Sequence, residues 1–235
     1  MFKFEKLVFG DSGWGDEFLI ATLMTLLVSI MSMGLGLSIA IITVWAKLIQ
    51  NRIARIIANF YTTVIRGVPE LLVIYLIFFG GNAVVMKIAK IFGYNGYIEL
   101  NALTIATIAI AIISATYSSE VLRAAYLSIS KGQIEAAKST GMNKLSIFIK
   151  VISPQVIRHA LPGIGNVWQI TLKDTSLISV TGLVEIMRQS RISSNVEHSP
   201  LTFLITAAIL YLCLTTFSGR FFKYLEINYS KGYSV

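Results

Sequence analysis

Charge is scarce in this chain: Asp, Glu, Lys and Arg make up 14% of its 235 residues, against 55% hydrophobic. A water-facing surface on a domain of this size cannot absorb such an apolar excess, so lipid is the expected solvent for much of it. Residues 18–46, 100–119 and 199–219 contain no Asp, Glu, Lys or Arg at all. Each is long enough to cross a bilayer, which takes about 20 mainly apolar residues. Cysteine is nearly absent too. The one thiol, Cys213, makes no internal disulfide and, set among Leu210, Tyr211 and Leu214, reads as a small packing residue. The two histidines, His159 and His198, have no metal-ligand set nearby, so neither a metal site nor a bound cofactor is expected. No Gly-x-x-x-x-Gly-Lys-Ser/Thr phosphate loop is present, which excludes an ATPase. The first apolar run is far longer than the hydrophobic stretch of a signal peptide and lacks a small-residue cleavage site, so no cleavable signal is expected. Low-complexity tracts and soluble-domain linkers are also missing, and the chain reads as one membrane domain.

Two further stretches can span. Residues 56–86 are apolar apart from Arg66 and Glu70, and residues 161–184 apart from Lys173 and Asp174. An all-α membrane protein with five spans follows, residues 18–219 forming the membrane domain. Residues 1–17 form an external lead-in whose Lys3, Phe4, Lys6 and Trp14 suit a membrane surface. Residues 220–235 are a cytoplasmic tail. Of the 20 Lys and Arg residues, twelve fall in one set of loops and six in the other, with Arg66 and Lys173 inside spans. The basic side is cytoplasmic by the positive-inside rule, which places the N-terminus outside and the C-terminus in the cytoplasm. The net charge of +8 is therefore a topology signal, and nucleic acid is not an expected partner. His159 and His198 fall on opposite sides of the membrane, so a membrane enzyme built on histidine and a carboxylate sharing one cavity is not supported.

The longest cytoplasmic segment, residues 131–154, is patterned. From Gln133 to Ser139 the residues favour helix, Glu135 stands in the first turn, and Gly141 is placed to end it. Leu145, Ile147, Phe148, Ile149 and Val151 then resume an amphipathic pattern up to Pro154. Small side chains at Ala136 and Ala137 beside Glu135 suit a groove in another protein; alternatively the helix merely joins two spans.

Glu135-Ala136-Ala137, then Gly141 after three residues, then Pro154, resembles the EAA loop of binding-protein-dependent ABC transporter permeases. Val151 and Ser153 stand where that family usually has Ile and Leu. Arg66-Gly67-Val68-Pro69 looks like a segment of the polar amino acid permeases, and Glu120 to Arg123 resembles the segment before their EAA loop. Residues 158–177 and 224–230 resemble the subgroup that carries histidine, lysine, arginine, ornithine or opines. The resemblance implies the transmembrane domain of a type I ABC importer: about five membrane helices plus a cytoplasmic coupling helix in the inner membrane. It also implies a second permease subunit, identical or paralogous, two cytoplasmic ATPase subunits and an external solute-binding protein. Glu135, Ala136, Ala137 and Gly141 would couple to the ATPase, which alone uses ATP. An ion-coupled secondary amino acid transporter is the rival, but it predicts inverted repeats and no docking loop.

Ionisable groups inside spans cost at least about 2.5 kcal/mol each and mark functional candidates. With the helix restarting at Leu161-Pro162, eleven residues at about 1.5 Å put Lys173 and Asp174 roughly half-way through a core about 30 Å thick. Asn166, Gln169 and Lys173 share a helical face expected at the subunit interface, where they either line a polar path or hold two helices together. Arg66, Gly67 and Pro69 mark a broken helix, either a gate on the path or a plain kink, with Arg66 and Glu70 as a candidate intrahelical pair. Glu120 and Arg123 read as a structural pair that anchors the loop.

Overall fold

A computed structural model describes residues 4–10, 13–94, 96 and 101–230. Lys3, Leu100 and residues 231–235, all invoked above, lie outside the described residues. The elements are α1 (Gly15–Leu48), α2 (Arg52–Gly67), α3 (Glu70–Ile91), α4 (Ala102–Leu127), α5 (Lys131–Ser139), α6 (Lys144–Ile147), α7 (Ser153–Asp174), α8 (Ile186–Glu197) and α9 (Pro200–Ser230). No strand occurs among the described residues. Four helices, α1, α3, α4 and α9, are long and apolar enough to cross a membrane. The fifth expected span corresponds to α7, which carries Pro162, Lys173 and Asp174.

Helix α4 is the axis of the molecule: 67% of its most apolar window is buried, against 11% for α3 and 17% for α9. Small residues allow this. Helix α1 lays Ala21, Thr25, Val28, Ser32, Gly36 and Ala40 along one face, three or four positions apart. A Cβ on Gly36 would come within 2.2 Å of Ser114 Oγ, so the two backbones approach as only glycine permits. Ser32 crosses to the Thr107 carbonyl at 3.1 Å, while Thr25 and Ser29 bond back to their own helix.

Two expectations about helix continuity are corrected. The helix does not restart at Leu161-Pro162. Residues 144–174 run as one helical course through α6, a wide π turn at Phe148–Ile152 and α7. Pro154 sits in the first turn of α7, where proline is tolerated. Packing carries α7 past Pro162: a Cβ on Gly163 would meet the Val121 side chain at 2.6 Å, and one on Gly165 the Phe222 ring at 3.1 Å. Lys173 and Asp174 thus stand at the end of α7, whose course begins well before Leu161. Likewise, α9 passes residue 219 without a break, so the tail is helical to Ser230.

The N-terminal lead-in is pinned rather than lying free. Lys6 pairs with Glu197 at 3.5 Å, and the Trp14 indole N–H donates to the same carboxylate at 3.3 Å. Phe203 is fully buried between Phe18, stacked at 6.1 Å, and Trp14, edge-on at 6.5 Å. Cys213 is exposed on α9, so it is not the packing residue expected.

Candidate functional site

Proline 69 breaks the second span as expected. Val68 takes extended backbone (φ −107°, ψ 142°), α2 stops at Gly67, and α3 opens at Glu70. Arg66 and Glu70 therefore lie on different helices and do not form the intrahelical pair. Glu70 instead accepts a hydrogen bond from Tyr117 of α4 at 3.0 Å. The Arg66 guanidinium lies over the Tyr117 ring, 5.6 Å from its centre. From the end of α7, the Asp174 side chain comes close enough to Glu70 for the two carboxyl groups to interact.

The apolar core beneath explains the meeting. Past Asp174 the chain tightens into a 3₁₀ turn, Thr175–Thr181, whose Ile178 is fully buried against Val73 and Ile74 of α3 and Ile110 and Ile113 of α4. That anchor sets the end of α7 against the start of α3. Two carboxyl groups in contact repel when both are ionised, and a proton or a cationic group between them relieves the repulsion.

A second charged cluster lies one turn along α4. Lys47, at the end of α1, is buried; its ammonium pairs with Glu120 and donates to Thr62 Oγ1 at 2.8 Å. Arg123 reaches the other oxygen of Glu120 at 3.7 Å, the pair expected from sequence. Lys47, one of the twelve basic residues counted to the cytoplasmic side, is a buried partner of α2 and α4.

The remaining path candidates look elsewhere. The Gln169 amide donates to the Thr215 carbonyl at 3.2 Å and to Ser218 Oγ at 3.1 Å, so it is committed to α9. Lys173 is exposed and lines a cleft with Ser176, Met187, Leu204 and Tyr211, towards α8 and α9. Asn166 is exposed. Gln169 is thus held by α9 and Lys173 borders the α8–α9 cleft, while Asp174 joins the break at Pro69.

On the other side of the chain, α5 displays its motif. Ala137 is buried with Ile129, Ile147 and Ile152, while Glu135 and Ala136 stay exposed. The helix ends at Ser139, and Gly141 adopts φ +80°, a left-handed turn that a side chain disfavours. The Met142 N–H closes the turn on the Ala137 carbonyl at 3.3 Å. Asn143 then caps the next helix, accepting from the Ser146 N–H at 2.8 Å.

Sequence reasoning overlooked Tyr117 and the Glu70–Asp174 contact. The available signal was a tyrosine in a span otherwise free of charge, since a buried phenol needs a hydrogen-bond partner.

Comparison with known proteins agrees with this architecture. Residues 32–230 match the family described as "Binding-protein-dependent transport system inner membrane component". The nopaline transport system permease protein NocQ of Agrobacterium fabrum is 48% identical over 221 residues, covering 94% of each chain. The histidine/lysine/arginine/ornithine transport system permease protein HisQ of Escherichia coli is 35% identical over 220 residues, covering 94% of this chain and 96% of that one. A crystal structure of an amino acid ABC transporter with histidines superposes with a TM-score of 0.77 at 28% identity, covering 92% of this chain and 95% of that one.

Proposed function

Because the chain belongs to the family of binding-protein-dependent transport system inner membrane components, we propose that it carries a cationic amino acid or a guanidino-bearing opine across the inner membrane. It is an ABC importer permease, a transport component and not an enzyme; an ion-coupled secondary transporter is set aside by the family. The observation that carries the cargo reading is the meeting of Glu70 and Asp174 at the break before α3. A guanidinium or ammonium group placed there relieves the repulsion between two acids and meets charge-assisted hydrogen bonds. Arg66, Gly67, Pro69 and Asp174 then belong to the translocation path; Gln169 serves packing, and Lys173 faces the α8–α9 cleft.

The energy comes from separate subunits. Glu135 and Ala136, exposed on α5, dock in a cytoplasmic ATPase, with Ala137 and Gly141 holding the helix in shape. The working assembly pairs this chain with a second permease, two ATPase subunits and an external binding protein, with its N-terminus outside and its C-terminus in the cytoplasm. Uptake of labelled arginine into liposomes holding the whole assembly tests the cargo reading. Glu70→Gln and Asp174→Asn are each expected to cut ATP-driven uptake about tenfold, as loss of a charge-assisted hydrogen bond does. Uptake at the unaltered rate in both variants would sink it.

A further inference from the structure

The helical course that follows α5 has two unlike faces. Ile147 and Ile152 are buried against Ile129 and Ala137, whereas Leu145, Phe148 and Ile149 turn outward, 67%, 54% and 55% exposed. Leu145 stands three and four positions before the other two, so the three side chains form one apolar patch. Lys144 and Lys150, both exposed, bracket it.

Acids are missing from this part of the chain. Residues 136–173 hold no Asp or Glu but five cations, Lys138, Lys144, Lys150, Arg158 and Lys173. A patch with an apolar centre and a cationic rim complements a surface that is apolar beneath and anionic above, which is how acidic headgroups lie over acyl chains. The depth agrees with this. Helix α4, 26 residues long, covers roughly 39 Å against a hydrocarbon core about 30 Å thick, so its ends pass the core by only a few ångströms. Ile129 comes two residues after the end of α4 at Leu127, and Ile147 and Ile152 pack on it. The opposite face of that same turn, with Leu145, Phe148 and Ile149, is therefore level with the headgroups.

We propose that residues 144–150 rest in the inner leaflet, with Leu145, Phe148 and Ile149 entering the acyl boundary while Lys144 and Lys150 hold the headgroups of anionic phospholipids. The inference rests on the orientation proposed above, which puts α5 and this segment on the cytoplasmic side, and it is independent of the cargo. Its consequence is mechanical. Ala137 of α5 is seated on Ile147 and Ile152, so the bilayer backs that seat from the other side.

Fluorescence quenching in nanodiscs of phosphatidylcholine and phosphatidylglycerol, made with the whole assembly, tests the contact. Cys213→Ser removes the single thiol of this chain, and cysteines of the partner subunits are replaced likewise. An NBD fluorophore is then attached at Leu145→Cys or, for reference, at Lys138→Cys on α5, both exposed positions. Phospholipids with a nitroxide high on the acyl chain should quench the label at 145 several-fold more than the label at 138. The phosphatidylglycerol form should quench it more than the phosphatidylcholine form. Lys144→Gln combined with Lys150→Gln should lower that preference by about fivefold or more, since one lysine near an anionic surface is worth about fivefold in affinity. Quenching no stronger at 145 than at 138 would overturn the proposal. A lipid signal that appears only after the ATPase subunits are removed would also overturn it and assign the patch to them. Equal quenching by the two lipids, or a preference untouched by the double variant, would overturn the anionic-lipid assignment. The orientation fails separately: a membrane-impermeant maleimide that labels Lys138→Cys in right-side-out vesicles would refute it, whatever the quenching shows.

Discussion

Helix α5, the proposed coupling helix, and the charged break at Pro69 both lie on surfaces that one chain leaves open, yet they are built in opposite ways. Helix α5 is a local device. Its shape comes from a nine-residue helix, a left-handed glycine and an asparagine cap within about a dozen positions, seated on Ile129, Ile147 and Ile152. The break gathers groups from distant parts of the chain: Tyr117 reaches Glu70 across 47 positions, and Lys47 reaches Glu120 across 73. One region is a compact local unit, proposed above as the plug for a partner, and the other is a meeting of independently held helices. They are joined by a single course, since the helical run from Lys144 ends at Asp174. Under the proposed coupling, a displacement of α5, which packs through Ala137 on Ile147 and Ile152, would pass along α7 to Asp174 and Glu70.

Breaking the plug has the largest expected effect. Glu135→Lys and Gly141→Val should each lower ATP-driven uptake in liposomes by about thirtyfold, the loss expected from an interface hot spot. ATP hydrolysis by the same preparation should persist, and normal uptake by both variants would remove α5 from the coupling role. Next comes a break between plug and path. Two adjacent glycines replacing Lys150 and Val151, at the π turn, should soften the connection and lower uptake about tenfold. Native uptake there would show that α7 does not transmit the movement. Gly36→Val tests the scaffold that both regions share. Its side chain must push apart α1 and α4, costing about 1–3 kcal/mol and lowering the thermal midpoint, while uptake by the complex that remains folded stays as in the native chain. The smallest effect is expected from Gln169→Leu, which loses two hydrogen bonds to α9 worth about 0.6 kcal/mol each within a membrane. Uptake should then be unchanged. A large, cargo-dependent loss would return Gln169 to the path and blur the division between the two regions.

The same contrast explains what could be read from the residues alone. Helix α5, its glycine stop and the break at Pro69 were legible because each depends on a few neighbouring backbone preferences. The chargeless runs gave the spans for the same reason. The pairing of Glu70 with Asp174 was not legible, because it is set by Ile178 packing against α3 and α4, which no local pattern encodes. Pro162 misled in the opposite direction. Its ring predicts a helix boundary, but Gly163 and Gly165 let α4 and α9 close on α7, which stays helical past it. Lys47 looked like one more cytoplasmic cation because a charge count does not distinguish a solvated ammonium from one buried against Glu120.

The clasp of Trp14, Phe18 and Phe203 ties the beginning of the chain to its final membrane helix. During synthesis the first span enters the bilayer long before Phe203 leaves the ribosome. Its N-terminal end must therefore wait, with two aromatic rings uncovered, until nearly the whole polypeptide has been made. Closure of this seam is a late step in biogenesis, and a nascent chain halted before α9 would present an open aromatic edge to membrane quality control.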